Sequence, residues 1–115
     1  MVCGPVSVVA GQAVITAQVD TQAVLTCSMG SSILGPMWNF YTPASEGSVT
    51  IYYGGNVKSD YKSRVEVRNN LKHNESYFII FKAQLNDSGR YECDFCNGYK
   101  TAIQLNVVGE HQGLE

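Results

Sequence analysis

Four cysteines are the residues of this 115-residue chain with the most chemistry open to them. Cys93-Asp94-Phe95-Cys96 spells C-x-x-C, the spacing of dithiol redox centres and of half a zinc site. The surroundings fit neither use. A redox pair of that kind opens a helix after a strand, whereas the run 89–96 reads as strand throughout. A four-cysteine zinc site needs a second close pair, and Cys3 and Cys27 stand 24 positions apart. His73 and His111 are isolated, with no Ser, Asp or Cys at catalytic spacing, and read as solvated surface. No catalytic residue, metal ligand or cofactor is therefore assigned, and the expectation is a binding module, not an enzyme.

The elements that position these residues follow from composition and alternation. At 44% hydrophobic and 16% charged, with 11 Gly and 3 Pro, the chain is that of one globular domain rich in turns. A net charge of -2 supplies no basic field for phosphates, which argues against nucleic acid as a partner. No window approaches the ~18 apolar residues of a membrane helix, so any membrane attachment is expected to lie in a segment outside this sequence. Nowhere do apolar residues recur with helical spacing over eleven positions, and short alternating stretches predict an all-β fold. Strands are expected over 6–9, 13–18, 22–28, 36–41, 48–53, 63–68, 76–83, 89–96 and 99–108. Turn-forming residues separate them at 30–35, 42–47, Gly54-Gly55-Asn56 and Asn97-Gly98. Asn97-Gly98 suits a two-residue type I′ hairpin turn, so the last two strands should pair. The domain spans 1–108, and 109–115 reads as a linker or tail.

Strand parity turns Cys27 inward with Ala23 and Leu25, and Cys93 inward with Tyr91 and Phe95. Trp38 follows Cys27 by eleven positions, and Asp87-Ser88-Gly89-Arg90-Tyr91-Glu92-Cys93 leads into the later cysteine. In this order of Cys, Trp, Tyr and Cys the chain resembles the V-set of the immunoglobulin superfamily over about residues 5–108. The resemblance implies a Greek-key sandwich of two antiparallel sheets, ABED and A′GFCC′C″. It also implies a Cys27–Cys93 disulfide over Trp38, a tyrosine corner at Tyr91, and an ion pair between Arg64 and Asp87. The spacing between the cysteines, with Tyr-Tyr-Gly-Gly-Asn-Val after strand C′, leaves room for C′ and C″ and disfavours the constant type. Because strand A of a V-set domain begins at the end where strand F finishes, a second disulfide, Cys3 to Cys96, is expected. The alternative is that one of these two is a free thiol or bridges to another molecule.

V-set domains of adhesion and recognition proteins commonly bind through the outer face of the GFCC′C″ sheet. With Trp38, Phe40, Tyr91, Cys93, Ile103 and Leu105 inward, parity turns Met37, Asn39, Tyr41, Thr50, Tyr52, Glu92, Asp94, Lys100, Ala102 and Gln104 outward as partner-binding candidates. The short F to G connection and the lack of a Phe-Gly-x-Gly bulge depart from antibody and T-cell receptor variable domains. The motifs look more like single-gene adhesion members such as the coxsackievirus and adenovirus receptor, myelin protein zero and the nectins. That likeness implies an extracellular ectodomain of a plasma-membrane protein, recognising itself or another cell-surface immunoglobulin-type protein, with no small-molecule substrate. Sequons at Asn74-Glu75-Ser76 and Asn86-Asp87-Ser88 suit N-glycosylation on the secretory route.

Overall fold

The computed structural model describes residues 8–28, 36–42, 47–70, 72–96 and 98–109. Its strands are β1 (Val8–Gln18), β2 (Ala23–Ser28), β3 (Met37–Tyr41), β4 (Val49–Tyr53), β5 (Asn56–Val57), β6 (Val65–Asn70), β7 (Glu75–Ile80), β8 (Gly89–Asp94) and β9 (Tyr99–Val108). Two sheets pack face to face. The larger runs β1-β9-β8-β3-β4-β5, which in family lettering is A′GFCC′C″, and the smaller runs β2-β7-β6, or B, E and D.

The alternation that marked the strands also makes the core. Ala23, Leu25 and Cys27 from β2, Phe78 and Ile80 from β7, and Trp38, Phe40, Tyr91, Cys93, Ile103 and Leu105 from the larger sheet are all buried. Cys27 is bonded to Cys93, joining β2 to β8 across a sequence separation of 66. Trp38 is fully buried and packs on Phe78 at 5.4 Å, and Phe78 lies 5.7 Å from Tyr91. These contacts fall in the range where tilted aromatic pairs add to the effect of burial.

Polar links also cross the core. The Trp38 indole N–H donates to Ser76 Oγ (3.0 Å), Ser76 Oγ donates to Asn69 Oδ1 (2.7 Å), and Asn69 Nδ2 donates to the Tyr52 hydroxyl (2.9 Å). Trp38 and Tyr52 are register partners in the larger sheet, and Asn69 and Ser76 are partners in the smaller. The four side chains thus form a hydrogen-bonded clasp between layers, and it gives fully buried Ser76 both an acceptor and a donor.

At the opposite end the Asp87 carboxylate accepts from Arg64 Nη2 (2.6 Å) and from the Gln84 N–H (2.8 Å), while the Tyr91 hydroxyl donates to the Asp87 carbonyl (2.7 Å). This is the geometry of a tyrosine corner. Gly89 follows with φ 153°, and a Cβ there would stand 2.6 Å from the Tyr41 carbonyl, so only glycine fits.

Four expectations need correction. The strands expected over 6–9 and 13–18 are one element over the described residues: β1 is continuous from Val8, bulged between Val9 and Gly11, and parallel to β9 throughout. Because β1 is hydrogen-bonded to β9, the smaller sheet holds no strand A among the described residues. Strand F ends at Asp94, not Cys96. The Phe95 N–H donates to the Tyr99 carbonyl (3.0 Å), and left-handed φ values fall on Cys96 (62°) and Gly98 (96°), which is no two-residue turn. Asn97 lies outside the described residues, as do Cys3 and 109–115 beyond Gly109.

Replacing Ser76 with Ala leaves the buried Trp38 N–H without its acceptor and opens the clasp. The cost should be about 1–3 kcal/mol, read as a lower denaturant midpoint with an unchanged slope.

Candidate functional site

The outer face of the larger sheet is a grid set by register. One row runs Val9, Lys100, Asp94, Met37; the next Gln12, Ala102, Glu92, Asn39, Thr50; the third Val14, Gln104, Arg90, Tyr41. Met37, Asn39, Tyr41, Thr50, Glu92, Asp94, Lys100, Ala102 and Gln104 thus share a face, as alternation predicts.

Tyr52 does not. The register between β3 and β4 shifts so that Trp38 faces Tyr52 while Asn39 faces Thr50, leaving Ile51 as the extra residue of a bulge. Ile51 and Tyr52 both belong to the core, and the Tyr52 hydroxyl meets Asn69 on the other sheet. The bulge inverts parity beyond Thr50, which moves Tyr53 onto the outer side in its place. Arg90, absent from the sequence-derived set, belongs to the face: two positions before Glu92 in the same strand, it was readable from alternation alone.

Glu92 is the centre of the face. Although it points away from the core, its side chain is only 5% exposed, covered by the neighbours that bond to it. Its Oε1 accepts from Lys100 Nζ (2.9 Å) and the Tyr41 hydroxyl (3.1 Å), and Oε2 accepts from Arg90 Nε (2.8 Å). Lys100 and Tyr41 reach it from diagonal positions on the flanking strands, the distance at which long side chains meet across a sheet. Burial by itself would raise the Glu92 pKa. The hydrogen bonds from Lys100 and Arg90, then the Lys100 charge and the Tyr41 hydroxyl, outweigh it and hold the carboxyl below its ordinary value.

Around this centre the polar groups are tied down. Thr50 Oγ1 donates to Asn39 Oδ1 (2.8 Å), and the Cys96 N–H donates to Asp94 Oδ1 (3.0 Å). Asn39 and Asp94 are buried, while Thr50, Arg90 and Gln104 are exposed and Met37, Tyr41 and Lys100 are half-buried. Beside Arg90, a groove of about 380 Å³ lies between β1 and β8, lined by Gln12, Val14, Ala102 and Gln104 among others. Val14 is 69% exposed at its rim. The face therefore offers a rigid centre, an apolar margin and a half-exposed guanidinium, an arrangement that suits contact with protein.

Elsewhere, Cys96 is disulfide-bonded and so is not a free thiol. Its expected partner, Cys3, lies outside the described residues. Asn74, left-handed at φ 54°, and Asn86, in a 3-10 turn over Leu85–Asp87, are both exposed and away from this face. Among the described residues no three His, Cys, Asp or Glu side chains cluster as a metal ion requires.

A two-layer sandwich with an inter-sheet disulfide, a buried tryptophan and a tyrosine corner defines an immunoglobulin-type domain. The family model of the immunoglobulin V-set domain matches residues 10–108, and the chain belongs to that family. Among solved structures, the first immunoglobulin domain of the mouse polymeric immunoglobulin receptor aligns with a TM-score of 0.71 at 18% identity, covering 84% of this chain and 89% of that one. At that identity the likeness is one of fold. No curated protein matches the chain. Membership of the V-set makes the domain a recognition module.

The lowered Glu92 pKa carries a definite pH sign. A carboxyl with a folded pKa below its unfolded one adds stability above the unfolded value, and that stability is lost as pH falls through the folded value. Glu92→Gln should cost about 1–3 kcal/mol near neutrality, and its melting temperature should fall less than the wild type's when pH is lowered from 6 to 3.

Proposed function

We propose that this domain is an extracellular recognition module that mediates cell–cell adhesion or self/non-self recognition by homophilic contact of its GFCC′C″ face. The observation that carries this reading is the buried Glu92 held by Lys100, Arg90 and Tyr41 at the centre of that face. A pre-formed charge cluster costs little to order on binding, since its side chains are already fixed. Its two cations, Arg90 and Lys100, surround the covered Glu92 carboxylate, which offsets part of their charge. In a two-fold dimer each patch meets its own copy, and a patch whose charge is partly balanced from within sets up less repulsion there. The small net charge of -2 sets up little repulsion between copies.

Other features are consistent with an exported protein. The Cys27–Cys93 bridge needs an oxidising compartment to form and persist, and both sequons lie on exposed positions away from the face. A Cys3–Cys96 bridge would staple the N-terminal segment beside the β8–β9 connection. The competing reading is a receptor or ligand domain that binds a different cell-surface protein through the same face, and the half-exposed Arg90 beside its groove favours it, as a socket for a partner's acidic side chain.

Beads coated with the domain discriminate the two. Under the homophilic reading they cluster, Lys100→Glu or Gln104→Arg abolishes clustering, and Lys82→Glu, remote from the face, does not. Sedimentation should show weak self-association with the same pattern. Uncoupled beads and strict monomers at high concentration would reject self-recognition.

A further inference from the structure

A second groove lies on the sheet opposite the proposed binding face. About 710 Å³ in volume, it is lined by Val24, Arg68, Asn69, Asn70, Tyr77 and Ile79. These residues mostly form the outer grid of β2-β7-β6, in which Val24 faces Ile79, Ile79 faces Glu66, and Tyr77 sits between Thr26 and Arg68.

The charges along it are already engaged. Arg68 donates through Nε (2.8 Å) and Nη2 (3.4 Å) to Glu66, and the Tyr77 hydroxyl donates to Glu75, which pins the ring. What remains for an occupant is one aromatic ring, two aliphatic side chains and the Asn70 amide. This lining is neutral, flat and partly apolar with a hydrogen-bonding margin, the chemistry that receives a pyranose: its C–H face lies on an aromatic ring while its hydroxyls and acetamido group bond to amides. It suits neither an anionic ligand nor a long hydrophobic tail.

The sequon Asn74-Glu75-Ser76 begins one residue from the groove's end. Asn70, part of the lining, is the register partner of Glu75, and Asn74 closes the exposed turn at 72–74 that leads into β7. Ser76, the hydroxyl that a glycosyltransferase must read, is fully buried beneath Trp38 and Asn69 in the folded domain. Attachment at this sequon therefore has to precede the docking of β7, as it does during export.

We propose that Asn74 carries an N-linked glycan whose first sugars lie along this groove against Tyr77, covering the outer face of the smaller sheet. The proposal rests on the extracellular reading for the route of modification and on the groove for the sugar's seat. Covered in this way, the opposite sheet is left as the open one.

The test secretes the chain from mammalian cells behind a signal peptide, alongside Asn74→Gln, Tyr77→Ser and the double variant. The expected result is a mass that drops on enzymatic deglycosylation and, relative to wild type, is lower by one glycan in Asn74→Gln. Loss of the glycan should lower the melting temperature by about 3–6 °C, and Tyr77→Ser should erase most of that difference. Sugar protons of the first residue should show ring-current shifts in the glycosylated wild type. Folded, secreted protein with a bare Asn74 overturns the site, and it leaves the recognition reading untouched because bead clustering by the opposite face is scored separately. A glycan whose removal shifts melting equally with and without Tyr77, and whose sugar protons show no ring-current shift, overturns the seat.

Discussion

The bond between Cys27 and Cys93, with Trp38 as the cross-strand neighbour of Cys93, ties the two sheets to each other across the core. A loop closed across 66 residues removes about 4 kcal/mol of freedom from the unfolded chain in the entropic account. That is a large part of a small domain's stability. The bridge also sets where polar groups can go. With β2 held against β8, the indole N–H of Trp38 falls opposite Ser76, and the clasp through Asn69 and Tyr52 closes around it. Covalent bond, aromatic packing and hydrogen bonds thus repeat one instruction about how the layers sit.

Parts of this were legible in the chain because they depend on local alternation. Cys27, Trp38, Tyr91 and Cys93 fall on the inward parity of their strands, and Asp87 stands a fixed step ahead of Tyr91. Features that depend on one strand's neighbour were not legible. The bulge at Ile51 adds a residue without any sequence mark, and a single added residue carries Tyr52 from the outer face to the core. The burial of Glu92 was equally hidden, since alternation turns it outward and only the reach of Lys100, Arg90 and Tyr41 covers it. The left-handed Cys96 ended a strand that parity had carried two residues further.

The two outer faces have opposite chemistry. That of the larger sheet has a carboxylate at its centre, satisfied by two cations and a hydroxyl. On the smaller sheet Val24, Tyr77 and Ile79 lie open with their neighbouring charges paired off.

The pairing of β1 with β9 bears on how the domain would answer a mechanical load. The two strands run parallel over the register from Val8 with Tyr99 to Gln18 with Val108, so the chain enters at one end of the sandwich and leaves at the other. A Cys3–Cys96 bridge would pass tension between the termini directly along β9; with that bridge reduced, tension would pull β1 and β9 lengthwise past each other. The rungs would then be strained together instead of peeling one at a time, a shear arrangement that resists extension far better than an unzipping one.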